Sequence, residues 1–438
     1  MKISKLHIEQ YRHLENLDFD FTYPLDYKDK AKAGKPLDKI CFIGQSATGK
    51  TGLLELIYEQ VCNLHKAYKY EDKNNFSNEK NSDDYLSGII DFSLGDINYK
   101  LKIEEEKKIP TVYYEILNQT LLNHNEDYQS QVIFDSKKPS SYFKANLISE
   151  KNLEIFTKNP IDILEKYRDE VLNPKSELTN PNILFDDNVA PEIWLYLLND
   201  ILHYRKNFTQ IMTELVHKGY IKDVEKFRFE YEKWQKVNPN VLEKVAFKLN
   251  PLFEKLNLAI DITNTEYSVP IKKKTTDEII PIQNTSTGTK GLLLSFLPLF
   301  KLDTKDSIIL IDEPERSLYP DMQMDLMDHY KKLAPEAQFI VATHSPFIAA
   351  SFEPEERFIL YFDAEGKVAV RRGESPIGDD PNDILKNDFG LEFLMNKKGL
   401  AAFEKFKSLK KQIAIEENEI VKDTLLTEIL QLANDYKF

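Results

Sequence analysis

Apolar residues along this chain fall into unbroken runs, alternating stretches and helical stripes, and each predicts a different element. The unbroken runs are Lys39-Ile40-Cys41-Phe42-Ile43, Ile308-Ile309-Leu310-Ile311 and Gln338-Phe339-Ile340-Val341-Ala342. Short runs of this kind predict strands buried on both faces of a parallel sheet. Alternation at Met1-Lys2-Ile3-Ser4-Lys5-Leu6 predicts an N-terminal strand. Leu258 to Pro281 alternates as strands around a lysine-tipped turn, and Arg357 to Asp363 and Lys367 to Arg372 are strand-like again. Helical spacing covers much of the rest. Gly52 to Tyr58 opens an amphipathic helix, Leu292 to Leu299 is an apolar one, and Asp321 to Leu333 lies between two of the buried strands. A helix from Ile193 through Val216 has Gly219 where a C-cap belongs. Ile221 to Lys236 follows with Val224, Phe227, Tyr231 and Trp234 at three- and four-residue steps. Asn238-Pro239 breaks it, and another helix runs from Val241 to Leu256. From Asp383 to the end, Leu, Phe and Ile recur at helical spacing among many Lys and Glu.

These patterns make the fold class α/β. Residues 1–151 and 257–375 are expected to be two halves of one sheet-based core. Residues 152–256 form a helical lobe between them, and 376–438 a helical tail. The lobe helices would be roughly 25–40 Å long at about 1.5 Å per residue, and no heptad pattern extends them into a long arm. The aromatic stripe from Val224 to Trp234 is expected to pack into a core rather than form an exposed groove. The tail reads either as a solvated helical pair or as a docking surface.

Candidate chemistry sits at the ends of the buried runs. Gly44-Gln45-Ser46-Ala47-Thr48-Gly49-Lys50-Thr51 fits G-x-x-x-x-G-K-[ST], and it lies between a strand and a helix as that motif requires. Backbone N–H groups from Gly44 to Gly52 would hold phosphate oxygens at the helix N-terminus. Lys50 would reach the β- and γ-phosphates, and the Thr51 hydroxyl would ligate Mg²⁺. The chain has 14 glycines in 438 residues, so two at this spacing before Lys-Thr are not accidental. The motif implies binding of a nucleoside triphosphate with Mg²⁺.

The run from Ile308 ends in Asp312-Glu313-Pro314-Glu315, at the strand edge where open α/β sheets place ligands. Asp312 is the expected second Mg²⁺ partner, usually through a water, and Glu313 the general base or water-orienting residue for attack on the γ-phosphate. One helix later the next strand ends in Thr343-His344-Ser345-Pro346. The two strand ends should then be neighbours, with His344 in reach of the γ-phosphate or the attacking water. Asn284-Thr285-Ser286-Thr287-Gly288-Thr289-Lys290-Gly291 precedes the apolar helix, and Ser286 and Gly288 make a second candidate anion site at its N-terminus.

Composition narrows the partners. Apolar residues make up 42% and charged residues 30%, which suits a folded protein with exposed helices. No run approaches the roughly 18 apolar residues of a membrane span, and the N-terminus lacks a signal-peptide stretch, so a cytoplasmic location and no membrane partner are expected. Cys41 and Cys62 form no disulfide framework or zinc pattern. Net charge is −14, from 58 basic and 72 acidic residues, which disfavours wrapping nucleic acid over the whole surface. Two lysine clusters remain, Lys28 to Lys39 (with Lys30, Lys32 and Lys35) and Lys272-Lys273-Lys274. Each reads as a solvated tip or as a phosphate-contacting patch, so DNA stays possible.

The order of these motifs resembles the ABC-type ATPase head of SMC, RecF and OLD-family proteins. Ser286-Thr287-Gly288-Thr289-Lys290 is similar to the signature motif, and Asp312 to Pro320 to the Walker B and D-loop, nearest the OLD-like prokaryotic branch. Thr343-His344-Ser345-Pro346 matches the switch histidine. Ile3 to Arg12 resembles the opening strand, which makes Arg12 a phosphate or base contact. The resemblance implies a P-loop NTPase of ABC-head type, with a mixed sheet, a helical insertion lobe and a helical C-terminal tail. It implies a homodimer or higher oligomer through the ATP sites, with Ser286 and Gly288 of one copy capping the ATP of the other. Thr287 stands where many relatives have a second glycine. The family's Q-loop glutamine has Gln129 and Gln131 as candidates, since Asn146 to Asn152 contains none. OLD nucleases continue into a Toprim domain; here fewer than about 100 residues follow His344, and Asp379-Asp380 is a weak acidic candidate. The expected function is an ATP hydrolase that dimerises on ATP and acts as sensor or regulator of a separately encoded nuclease effector. Septu- or PARIS-type anti-phage systems are the nearest resemblance. The alternatives are a RecF-like DNA repair or recombination ATPase, and a scaffold that uses ATP only to assemble.

Overall fold

A computed structural model describes residues 1–66, 87–94, 97–104, 107–116, 119–121, 140–167 and 182–437. The chain opens with strands β1 (Lys2–Tyr11) and β2 (Leu14–Asp20), crosses to β3 (Lys39–Gly44) and enters helix α1 (Lys50–Lys66). It then adds β4 (Ser87–Leu94), β5 (Ile97–Glu104), β6 (Lys107–Ile116) and β7 (Gln119–Leu121) to the first pair. The result is an antiparallel six-stranded sheet in the order β2-β1-β4-β5-β6-β7. Strand β8 (Ser140–Phe143) precedes helices α2 (Glu150–Thr157) and α3 (Pro160–Lys166), and β9 (Asn182–Phe185) follows them. Helices α4 (Pro191–His217), α5 (Val224–Val237) and α6 (Val241–Phe253) lead to a three-stranded sheet of β10 (Leu258–Ile260), β11 (Ile271–Lys273) and β12 (Ile279–Ile280). Next come α7 (Thr287–Lys301), β13 (Ile308–Asp312), α8 (Pro320–Leu333), β14 (Gln338–Ala342) and α9 (Pro346–Ala349). Strands β15 (Arg357–Phe362) and β16 (Val368–Arg372) close the core, and α10 (Pro381–Asn387), α11 (Lys397–Ile415) and α12 (Glu419–Tyr436) form the tail.

The apolar runs become the middle of a seven-stranded sheet in the order β16-β15-β3-β14-β13-β8-β9. Every pairing from β15 to β9 is parallel, and β16 runs antiparallel at the edge. The pleat explains why these runs are apolar at every position. Ile40, Phe42, Ile308, Leu310, Ile340 and Ala342 face one core, shared with Leu53, Leu54 and Ile57 of α1 and the inner face of β1 and β2. Their neighbours Cys41, Ile43, Ile309, Ile311, Phe339 and Val341 face a second core with α7, α8 and the helical lobe. Full burial of one such side chain stabilises by about 1.5–3 kcal/mol, so the centre of the sheet is the rigid frame for whatever its edge carries.

The structure corrects the sequence reading in the lobe. Asn182–Phe185, expected as part of a helical stretch, is a strand of the core sheet, paired in parallel with β8. The Ser140 hydroxyl donates to Asn182 Oδ1 at 2.5 Å across that pair. The aromatic stripe of α5 is not core either, because no residue of that helix is buried. Tyr231 and Trp234 lean on Tyr204 and Phe208 of α4, with ring centroids 5.9–6.4 Å apart, while Val224, Phe229 and Val237 are exposed. The reason is coverage: α5 meets α4 through one aromatic cluster instead of lying between two layers.

Both lysine clusters face carboxylates. Lys28 pairs with Glu353, and Lys2 and Lys32 pair with Asp38. Lys272, Lys273 and Lys274 pair with Asp277, Glu278 and Glu254. Asp380 accepts from Asn382 N as the N-cap of α10, which gives that acidic pair a structural role. Gln129 and Gln131 lie outside the described residues. Among the described residues, no helix is long and apolar enough to cross a membrane.

Candidate functional site

The site forms where β3, β14 and β13 end side by side. After β3 the chain turns through the phosphate loop, with Ala47 at φ 66° and Gly49 at φ 92°, before Lys50 starts α1. A Cβ on Gly49 would lie 2.9 Å from Leu14 Cδ2 and 3.1 Å from His13 Nε2, so the β1–β2 turn roofs the loop. Lys50 is buried, and its Nζ donates to Gly44 O at 2.8 Å and Gln45 O at 2.9 Å. Burial pushes its ammonium below the usual lysine range, against the pull of Asp312, Glu313 and Glu315. Gln45, Ser46 and Ala47 are exposed at the outer lip, and Thr48 is buried with its hydroxyl on Gln45 O at 2.8 Å.

Thr51 and Asp312, 261 positions apart, meet directly. The Thr51 hydroxyl donates to Asp312 Oδ2 at 3.0 Å. Burial raises the Asp312 carboxyl to about 6, helped by repulsion from Glu313 and Glu55 and opposed by the Thr51 bond and Lys50. A hydroxyl beside a carboxylate short of positive charge is a set of hard oxygen donors that fits Mg²⁺. Among the described residues no cluster of three or more His, Cys, Asp and Glu side chains offers a metal cage. Mg²⁺ suits such a place, since it needs one or two protein ligands and takes the rest from phosphate and water.

Glu313 follows with φ 49°, a left-handed conformation that costs a non-glycine residue about 1 kcal/mol or more. Its N–H donates to Ala342 O at 2.9 Å, which ties the end of β13 to β14. The Glu313 carboxylate lies 4.0 Å from His344 Nε2, and both side chains are partly open to solvent. Burial and Lys50 hold the His344 imidazole below its ordinary value despite Glu313. Glu315 accepts the His344 N–H at 2.8 Å, and its other oxygen is buried without a partner among the described residues. Burial keeps that carboxyl above the usual range.

Ser286 is the N-cap of α7, accepting from Thr289 N at 3.2 Å, and it is exposed. Gly288 is buried beneath the turn after β13: a Cβ there would sit 2.4 Å from Ser317 O. Thr287 and Gly288 share a cleft with Asp312, Glu313 and the Lys144–Ile148 segment, and no phosphate-loop residue lines it. Arg12, at φ 51°, donates from Nη1 to Glu55 Oε2 at 2.9 Å and stacks over Tyr11.

The structure therefore brings together Lys50, Thr51, Asp312, Glu313 and His344, seats Arg12 beside the first turns of α1, and places Ser286 on the outside. Sequence reasoning missed Glu55, Lys144, His13 and the anchoring part of Glu315. Glu55 had a usable signal, since it follows Thr51 by four residues on one face of α1. Lys144, 4.0 Å from Glu55, had none, because its position depends on β8 lying beside β13.

A phosphate loop on a parallel sheet, with a hydroxyl–carboxylate pair and an imidazole beside a glutamate at the neighbouring strand ends, is the architecture of a P-loop NTPase. The family described as AAA ATPase domain matches residues 1–349, and the chain belongs to it. Over 388 residues it is 21% identical to the DNA replication and repair protein RecF of Alkaliphilus oremlandii, covering 82% of this chain and 98% of that protein. Over 157 residues it is 23% identical to an uncharacterized protein of Methanocaldococcus jannaschii, covering 33% of this chain and 40% of that protein. Among solved structures it is similar to an Smc head bound to the C-terminal winged-helix domain of ScpA, at 13% identity and a TM-score of 0.40, covering 85% of this chain and 97% of that one. A Pyrococcus furiosus Smc head with an extended coiled coil, bound to the C-terminal domain of ScpA, is similar at 14% identity and a TM-score of 0.39, covering 85% and 96%.

Proposed function

We propose that this chain is a Mg²⁺-dependent ATP hydrolase that closes its sites between two copies. The observation that carries the reading is the Thr51–Asp312 hydrogen bond with Glu313 and His344 at the adjoining strand ends. Lys50 would leave the loop carbonyls for the β- and γ-phosphates, where an ammonium finds stronger acceptors. Thr51 and Asp312 would hold Mg²⁺, which when bound neutralises charge on the phosphate oxygens. Glu313 would take the proton of the attacking water, and His344 would orient that water or the γ-phosphate through Nε2. Arg12 would add a cation at the rim of the loop.

The exposed Ser286, and a signature cleft lined by no phosphate-loop residue, support a site completed by a second copy. Ser286 and the α7 N-terminus would then cap the γ-phosphate from across the dimer. Closure of two such sites would move the helical lobes against each other, the usable output of the switch. The resemblance to the OLD-like branch supports the further reading of a cytoplasmic sensor or regulator that controls a separate effector, a nuclease in anti-phage defence. Glu313→Gln is expected to trap an ATP-bound dimer under light scattering and to abolish phosphate release. Unchanged turnover would remove Glu313 from its role. Co-purification with the product of the neighbouring gene tests the effector.

The RecF relative, matched over 98% of its length, favours a second reading in which the partner is DNA. DNA-stimulated ATP hydrolysis that weakens steeply with salt is its expected result, and turnover indifferent to DNA removes it.

A further inference from the structure

The tail ends in a helical hairpin with more apolar surface than its two helices cover. α11 and α12 pack on each other, yet within them the buried residues are Ala402 and Leu409 alone. Leu425, Ile429 and Leu432 of α12 are half-buried on the side toward α11. Beside them Leu426 and Leu430, one turn apart, stay 39% and 61% exposed. Ile415 and Ile420, flanking the turn between the helices, are each 81% exposed. From Val421 through Leu425, Leu426, Ile429, Leu430 and Leu432, the apolar face of α12 spans roughly half the helix circumference. A single neighbouring helix covers far less than that, so an apolar seam remains along the hairpin.

Charge says what fits the seam. α11 carries six lysines and one glutamate, and α12 carries four carboxylates and one lysine. The hairpin is thus one basic and one acidic helix side by side, with Lys405 paired to Glu428 at 2.5 Å. A nucleic acid or an acidic peptide would meet the carboxylates of α12 next to the seam. A second hairpin related by a two-fold axis avoids that repulsion in the arrangement that sets each basic α11 beside the partner's acidic α12.

We propose that the hairpin is a self-complementary assembly element. Two copies of this chain pair antiparallel through α11 and α12 into a four-helix bundle, with Leu426 and Leu430 in its seam. Charges then alternate around the bundle, and the apolar face of α12 is covered by two helices instead of one. No residue of the phosphate loop or signature takes part, so this association needs no nucleotide and is separate from closure over ATP.

The test uses the full chain without nucleotide, followed by light scattering over a concentration series. The expected result is a species of twice the 51.1 kDa chain mass, present equally in Lys50→Ala. Leu426→Glu with Leu430→Glu is expected to weaken association at least about 100-fold, since it sets carboxylates in an apolar seam. Both sites are exposed in the single chain, so helix content and melting temperature should hold. Raising salt from 0.1 to 1 M should also weaken the dimer, because the pairing is partly ionic. A monomer at tens of micromolar overturns the proposal, as does a dimer that survives the double substitution or tightens with salt. A chain that is monomeric yet binds DNA through α11 would assign that face to nucleic acid instead.

Discussion

Gly288→Ala tests whether the close approach of α7 to the turn after β13 sets the geometry of the ATP site. The added methyl would lie 2.4 Å from Ser317 O and 3.0 Å from Leu318 Cδ2. Ordinary C···O contact is about 3.3 Å or more, so helix and turn must part by roughly 1 Å. Crowding of this kind costs about 1–3 kcal/mol, and alanine returns about 1 kcal/mol of helix propensity, so the protein should stay folded. The displaced turn is the one that begins at Glu313 and carries Glu315, the anchor of the His344 N–H. Misplacement of reacting groups by about 1 Å costs on the order of 100-fold in rate. The expected outcome is a 10- to 100-fold fall in kcat, on the order set by that misplacement, with ATP affinity little changed because Lys50 and Thr51 stand on α1. Phosphate release, fluorescent-nucleotide titration and thermal melting together measure it. A folded variant with wild-type kcat refutes the reasoning.

Two further predictions concern the frame of the site. Arg357 and Asp388 form an ion pair at 3.1 Å with both side chains 0% exposed, locking the segment after α10 to the start of β15. Asp388→Ala strands the guanidinium and should cost about 3–5 kcal/mol in urea unfolding, while Arg357→Met with Asp388→Leu should recover most of it; a double variant as unstable as the single one argues against the pair. Lys331, which donates to Ala337 O at 2.7 Å, is lowered from 10.5 to about 8 by burial, with Asp38 opposing. Between these values the unfolded chain binds more protons than the folded one, so wild-type stability should rise with pH from about 8 to 10.5 relative to Lys331→Met. The gain should be about 3 kcal/mol at 1.36 kcal/mol per unit, and a flat difference across that range sinks the assignment.

What could be read from the sequence was whatever is written locally. The loop from Gly44 to Thr51 needs one strand and one helix, both adjacent in sequence, and the structure has them. The meeting of β13 and β14 was legible because a single helix, α8, separates them. Lys144 beside Glu55 was not, since it follows from β8 pairing with β13 across more than 160 positions of chain. Strand β9 failed for a related reason: four residues are too short to show a period, and their partner β8 lies 42 positions earlier. Gly288 shows a different limit. A glycine at a helix N-terminus suggests room for a phosphate, yet the missing Cβ is already used by Ser317 O of the same chain.

Helical periodicity was the least decisive signal, and α1, α5 and α12 show why. Each carries an apolar stripe, so each reads alike. α1 lies between two sheets, and Leu53, Leu54, Leu56, Ile57 and Val61 are all 0% exposed. α5 leans on α4 through aromatic rings and buries nothing completely. A stripe measures how much apolar surface a helix offers, whereas burial depends on how many neighbours cover it, and those neighbours come from distant segments. The excess of stripe over cover is therefore invisible in sequence and plain in the fold. On α12 that excess is accompanied by opposite charges on two adjoining helices, which is what turns uncovered surface into a prediction about a second copy.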